Sequence, residues 1–224
     1  TFSALMSVVI LTSQLKETVK NKQKFSLRLL KVNRADIFEP KVIEPFVIQF
    51  LMAFVLGTLL TIVPDRSEIL HISNKGLFFT VYTLSSLSIR LIAGKSSDKY
   101  GRLPVIKFVV ICSAVSMLFM AQAQTAFMFL FGGVLYGFSY GLSTPTLQAW
   151  TVDLTPEVHR GRGLATMFIA LEAGIGTGAI VSQAVYNNVA EQISFPFYLA
   201  AALASLGFIA LLFLKKEKAF KFIA

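Results

Sequence analysis

Charge is scarce in this chain: only 15% of its 224 residues are Asp, Glu, Lys or Arg, against roughly 25% in an ordinary soluble domain. So little charge cannot cover a soluble surface, and a mean hydropathy of +0.68 points the same way. The composition is that of a membrane protein. Acidic residues are the scarcer sign, 12 against 21 Lys and Arg. The basic residues gather between apolar runs rather than spreading over a polar surface, so they speak for membrane topology and against a nucleic-acid partner. Cysteine occurs once, at Cys112 within an apolar run. That excludes an internal disulfide and the paired-cysteine metal motifs, and leaves a small buried hydrophobe as the plain reading. Histidine occurs only at His71 and His159, which fall on opposite sides of the membrane in the topology derived below. No metal-binding helix motif, nucleophile elbow or phosphate loop is found. The reading is therefore no enzyme, no metal and no cofactor.

What is abundant is apolar sequence in long runs. A bilayer core about 30 Å thick takes about 20 helical residues to cross, and six runs of that order lie at 42–63, 76–93, 103–121, 126–149, 164–185 and 195–214. They predict an all-α, polytopic bundle over 42–214. Their connections are too short for another domain, which leads one to expect sequential helices as antiparallel neighbours. Residues 1–13, TFSALMSVVILTS, are apolar but too few to span, and lack the basic leader of a signal peptide. They are expected to be the end of a preceding helix in a longer protein. Residues 14–41 form a charged connector with Phe25, Leu29 and Val32 at helical spacing, open to a place along the membrane surface or to a solvated linker. Residues 215–224 form a basic tail.

Orientation follows from Lys and Arg. Eight lie in 14–41, five between Arg90 and Lys107, two in the loop at 150–163 and four after residue 214, whereas the other side holds only Arg66 and Lys75. The positive-inside rule therefore puts the connector, the tail and the loop around residue 98 in the cytoplasm.

That loop reads GKSSDKYGRLP, residues 94–104. Gly94 and Gly101 suit a tight reversal, since glycine accepts left-handed dihedrals. Asp98 can accept from a helix N-terminus and pair with an arginine, and Lys99 and Arg102 can hold headgroups or a carboxylate. Gly94, Ser97, Asp98, Lys99, Gly101 and Arg102 resemble the loop signature of the major facilitator superfamily, with Ser96 where the pattern has leucine and Leu103 where it has a last basic residue. Two further stretches, GLFFTVYTLSSLSIRLIAG and LTPEVHRGRGLATMFIALEAGIGTGAI, resemble the drug and metabolite exporters of that superfamily. The resemblance covers nearly the whole chain and implies the C-terminal half of such a transporter, helices 7 to 12, built as two inverted three-helix repeats. It implies a bacterial inner membrane, an N-terminal six-helix half as partner, and proton-coupled export of a small organic compound. Uptake of a sugar-like solute and a non-transporting fragment are the alternatives. It also implies that the loop helps close a cytoplasmic gate, against the plainer reading of a positive-inside turn, and that Arg160 and Arg162 belong to the same gate with Asp153 or Asp98 as partners.

Glu172 stands out among the spans. It lies eight residues past Leu164, about 12 Å along a helix and near the midplane. An ionised carboxylate there costs several kcal/mol unless it is paired or faces a wet cavity. Ala165, Phe168, Glu172, Gly176, Ala179 and Gln183 share one helical face, which is expected to point inward. Carrying a proton, attracting a cationic group and bonding to another helix are all open to Glu172. Arg90, four residues before Gly94, can snorkel to the interface or pair with an acid of the gate. Gly133, Gly137 and Gly141 recur every fourth residue, as do Tyr136, Tyr140, Thr144 and Gln148. The glycines predict close helix approach, as do Gly174 and Gly178. The tyrosines suit either a cavity wall for an aromatic ligand, with Gln49, Tyr82 and Gln183 as further candidates, or interhelical hydrogen bonds.

Overall fold

The computed structural model describes residues 38–213. The apolar segment at 1–13, the connector up to residue 37 and the tail at 215–224 lie outside the described residues. A single 3-10 turn, Pro40–Val42, leads into α1 (Ile43–Ile69). There follow α2 (Leu77–Ala93), the short α3 (Ser96–Tyr100), α4 (Arg102–Ala121), α5 (Ala126–Leu154), α6 (Arg160–Tyr186) and α7 (Phe195–Phe213).

All six expected spans are helices. Five, counted with their flanking turns, are long and apolar enough to cross a membrane on length and composition, and α2 is shorter at 17 residues, about 25 Å. Two helices run further than their apolar runs. α1 continues through Pro64 to Ile69, and α5 through Pro145 to Leu154. The extension of α1 is held by Arg66, which is buried and donates from Nη2 to the carbonyl oxygen of Ala123 in the α4–α5 turn. α5 is preceded by Thr125, whose hydroxyl accepts from the amide of Met128 at 3.3 Å, an N-cap that satisfies one of the free amides of the first turn.

The packing order is not the chain order. Side by side the helices run α2, α5, α4, α7, α1, α6, each lying mainly against the next. Exchanging α1 with α5, α2 with α6 and α4 with α7 reverses this row onto itself. Equivalent helices are three crossings apart and so run in opposite directions, which makes α1–α2–α4 and α5–α6–α7 two inverted three-helix repeats. The expectation that sequential helices are neighbours fails for most pairs. α1 barely touches α2 and packs instead on α6, while α2 packs on α5.

Glycine explains the choice. A Cβ on Gly178 would lie 2.3 Å from the carbonyl oxygen of Phe54, one on Gly174 2.5 Å from that of Phe50, and one on Gly57 2.2 Å from that of Ile175. Here the backbones of α1 and α6 touch. Gly137 and Gly141 of α5 do the same against the carbonyls of Tyr82 and Ser86 in α2, at 2.5 and 2.6 Å, while Gly133 receives the ring of Phe78. In lipid, packing drives association, and small residues let it reach the backbone. Serine hydroxyls add cross-links, with Ser85 donating to the Val134 carbonyl at 2.7 Å and Ser182 to the Thr58 hydroxyl at 2.8 Å.

The open faces differ in kind. α4 exposes Phe108, Ile111, Leu118 and Phe119, and α7 exposes Phe195, Leu206, Ile209 and Leu212, which suits acyl chains. α6, the least buried of the five long spans, exposes Ala165, Glu172, Ala173, Gly176, Thr177 and Gln183 beside Phe168 and Ile180. The face expected to point inward thus points away from this bundle. The packed face is the opposite one, Gly163, Thr166, Met167, Ala170, Gly174, Gly178 and Ser182, because the glycines rather than the carboxylate seat the helix.

Gly178→Leu should force α6 off α1 and cost on the order of 1–3 kcal/mol, the usual range for overpacking. Gly161→Ala should be nearly neutral, because nothing lies within 4 Å of its Cβ position. Thermal melting of the full-length protein in detergent measures both.

Candidate functional site

Two groups of polar residues emerge from this packing, one in the gap between α1 and α2 and one at the helix ends near α3.

Because α1 and α2 stand apart, a hollow of about 240 Å³ opens between them, lined by Leu56, Leu59 and Leu60 of α1, Phe78, Phe79 and Tyr82 of α2, and Tyr136 of α5. Tyr136 is fully buried, and its hydroxyl has no hydrogen-bond partner among the described residues. Its ring stacks on Tyr82, centroids 5.6 Å apart at 28°, and Tyr82 meets Tyr140 at 5.7 Å and 57°. The tyrosines of α5 thus form a ring cluster with Tyr82, and for Tyr136 the interhelical hydrogen bond is not what is made. Gln49 is buried within α1 with its Oε1 unpartnered among the described residues; it does not line this hollow. Gln183 sits near the far end of α6, where its Nε2 donates to Oδ1 of Asn188 at 3.0 Å. It is thus at a helix end rather than beside Glu172. Glu172 itself stands close to the middle of α6 on the open face.

Near α3 the ion pairs are built on two arginines. Arg102 opens α4, and its guanidinium donates from Nε to Oδ2 of Asp153 at 2.9 Å, from Nη1 to the hydroxyl of Ser97 at 2.8 Å, and from Nη1 to Asp98. One side chain thereby ties the short α3, the start of α4 and the end of α5 together. The turn behind it needs Gly101, whose φ of +91° is left-handed. Gly94 is different: its dihedrals are right-handed helical, and what it supplies is room, since a Cβ there would lie 2.4 Å from the carbonyl oxygen of Arg90. Lys99 lies over the ring of Tyr100 at 5.1 Å, a cation–π contact at an exposed site.

Arg160 and Arg162 do not meet Asp98 or Asp153, which are both taken by Arg102. Arg160 pairs with Glu157 at 3.4 Å on the surface. Arg162 reaches Glu39, donating to its Oε2 from Nε at 2.9 Å and also from Nη2, while the amide of Glu39 donates to the hydroxyl of Thr166 at 2.9 Å. Glu39 is almost fully buried. It went unnoticed in the sequence because it lies in a basic connector 123 residues from its partner. The only hint was an acid beside Pro40, ahead of a span. The hydrogen bond from Arg162 holds the carboxyl of Glu39 below the ordinary carboxylate range, outweighing the opposite effect of burial. No acid pairs with Arg90 among the described residues; its Nε donates to the Gly141 carbonyl at 3.2 Å. Neither is any group of residues that could hold a metal ion found among them.

Compared with known proteins, the sequence from residue 45 to residue 222 matches the Major Facilitator Superfamily. This chain belongs to that superfamily. The superfamily's members are transporters, in keeping with the polytopic helical fold. Multidrug resistance protein 2 of Bacillus subtilis (strain 168) is 26% identical over 165 residues, 72% of this chain and 40% of the relative. Multidrug resistance protein 1 of the same organism is 28% identical over 163 residues, 71% and 41%. The class E tetracycline resistance protein of Escherichia coli is 24% identical over 185 residues, 79% and 44%. The chain therefore spans less than half the length of these curated relatives.

The Glu39–Arg162 pair sets a pH dependence. A carboxyl held low when folded contributes stability that is present above its unfolded value and is lost as pH falls through the folded one. Glu39→Gln should lower the melting temperature at neutral pH, with the gap to the parent closing on acidification below the carboxylate range. The charge swap Glu39→Arg with Arg162→Glu should recover part of the loss. Melting curves against pH measure all three.

Proposed function

We propose that this chain forms the C-terminal six-helix half of a secondary transporter that exports a small organic compound in exchange for protons, working by alternating access with an N-terminal six-helix half. The composition of the open face of α6 carries the reading. Glu172 sits at mid-helix among Ala165, Ala173, Gly176 and Thr177, and a carboxylate at that depth costs several kcal/mol against lipid. A face of this kind belongs against a second protein half or a wet cavity, whereas α4 and α7 carry the bulky apolar faces that lipid requires. The names of the drug and tetracycline resistance relatives support export over uptake. The host is a bacterial plasma membrane, with residues 94–104 and the C-terminus on the cytoplasmic side, where Lys and Arg concentrate.

Within this reading Glu172 is the proton carrier, and the Tyr82–Tyr136–Tyr140 cluster walls the cavity where aromatic or amphipathic compounds pass. Arg102, with Asp98 and Asp153, stiffens the cytoplasmic end on which the halves close, and Arg162 holds the incoming connector through Glu39. Glu172 is on an open face and Arg102 and Arg162 are at helix ends, where a moving partner half can meet them.

Full-length protein in proteoliposomes with an imposed pH gradient tests the reading against a panel of cationic, neutral and anionic aromatic compounds. The parent should move at least one compound with a matching proton flux. Glu172→Gln should lower gradient-driven transport at least tenfold with unchanged yield and melting temperature. Parental coupling in that variant would remove Glu172 from the mechanism, and no flux of any compound in the parent would sink the transporter reading.

A further inference from the structure

Helix α2 has two unlike sides. Leu77, Leu84 and Leu91, seven residues apart, are exposed together with Ile92 on one. On the other, Tyr82, Thr83, Ser86 and Arg90 line a second hollow of about 270 Å³, completed by Leu87 and by Tyr140 of α5. Tyr82 borders both hollows, so the polar recess continues the gap beside α1 along the helix. Arg90 is two turns further on, about 12 Å from Tyr82 along the axis.

The guanidinium of Arg90 is positioned but not neutralised. Its Nε is spent on the Gly141 carbonyl at 3.2 Å, an approach possible because Gly141 has no side chain and α2 lies against its backbone. Of five N–H donors, four remain. No carboxylate pairs with it among the described residues, and Asp98 and Asp153 are committed to Arg102. Beside this cation stand the rings of Tyr82 and Tyr140, tilted at 57°, so that they form a corner rather than a closed stack.

We propose that this recess recognises a planar aromatic compound bearing an acidic oxygen group: Arg90 takes the oxyanion with its free edge, and the Tyr82–Tyr140 corner holds the ring. The proposal rests on the transporter reading above and names one substrate class for it. The volume is below the roughly 300–1,000 Å³ of drug-sized sites, which suits one or two fused rings, or the acidic end of a larger compound. A lipid phosphate offers the same oxyanion chemistry. The recess, however, is on the side of α2 that continues toward α1, and the leucine row is on the other.

The experiment is titration calorimetry on the full-length protein in dodecyl maltoside, which carries no phosphate, with 1-naphthoate and its neutral amide as probes. The parent should bind the acid at least tenfold more tightly than the amide. Arg90→Gln should abolish that preference while leaving the amide within twofold, and Arg90→Lys should keep part of it. Thr83→Trp, which fills the recess and leaves Arg90 in place, should weaken both probes and serves if Arg90→Gln does not fold. Equal affinity of the parent for the two probes, or a retained preference in Arg90→Gln, overturns the proposal. An Arg90-dependent preference for phosphatidylglycerol over phosphatidylcholine nanodiscs without any acid-over-amide preference also overturns it, and assigns the recess to lipid. Proton-coupled flux of neutral aromatics with no acid preference removes this proposal alone, whereas absence of any flux removes the transporter reading with it.

Discussion

Backbone-to-backbone contact through glycine is the constraint on which the rest of this structure depends. Lipid tails are as apolar as the helices they surround, so burying leucine against leucine gains little inside a membrane, and packing quality decides which helices pair. Gly57, Gly174 and Gly178 bring α1 and α6 together, and Gly133, Gly137 and Gly141 do the same for α5 and α2. The two pairs occupy equivalent places in the inverted repeats. Each outcompetes the short-loop neighbour that chain connectivity alone would have favoured.

A consequence is the gap. With α2 drawn to α5 and α1 to α6, the first two spans part, and the space between them takes Tyr82, Tyr136 and a run of leucines. The same pairing leaves α2 and α6 at the ends of the row, each with one side packed and the other open. The open side of α6 carries Glu172, a group that acyl chains would reject, and Arg90 of α2 lines the recess beside Tyr82 and Tyr140. Packing thus sets the places where chemistry becomes possible.

At the helix ends near α3 a different force operates. Arg102 and Arg162 each gather partners from segments far apart in sequence, and these charge-assisted hydrogen bonds work where water thins out but is not absent. Arg102 has 18% of its side chain exposed and Glu39 4%, so removing one partner of the second pair leaves a buried charge uncompensated, a larger loss than that of a surface pair. The exposed Arg160–Glu157 contact belongs to the weak surface class.

The number of spans, their approximate limits, the reversal at Gly101 and the glycine stripes were legible in the sequence, because each depends on local rules: hydropathy over a bilayer thickness, the dihedral freedom of glycine, a period of four. Glu172 could be singled out for the same reason, since the cost of charge in lipid needs no neighbour to be known. The direction it faces could not, because a helical wheel gives a face but not what lies against it. Nor could the partners of Arg102 and Arg162 or the burial of Glu39, for choosing among a dozen acids requires knowing which helix ends converge. The order α2, α5, α4, α7, α1, α6 was decided by tertiary structure alone, since the fit of glycine to a particular carbonyl 124 residues away is a property of two surfaces meeting. Sequence determined that this chain crosses a membrane as helices; only the meeting of those helices decided which polar groups were left open to act.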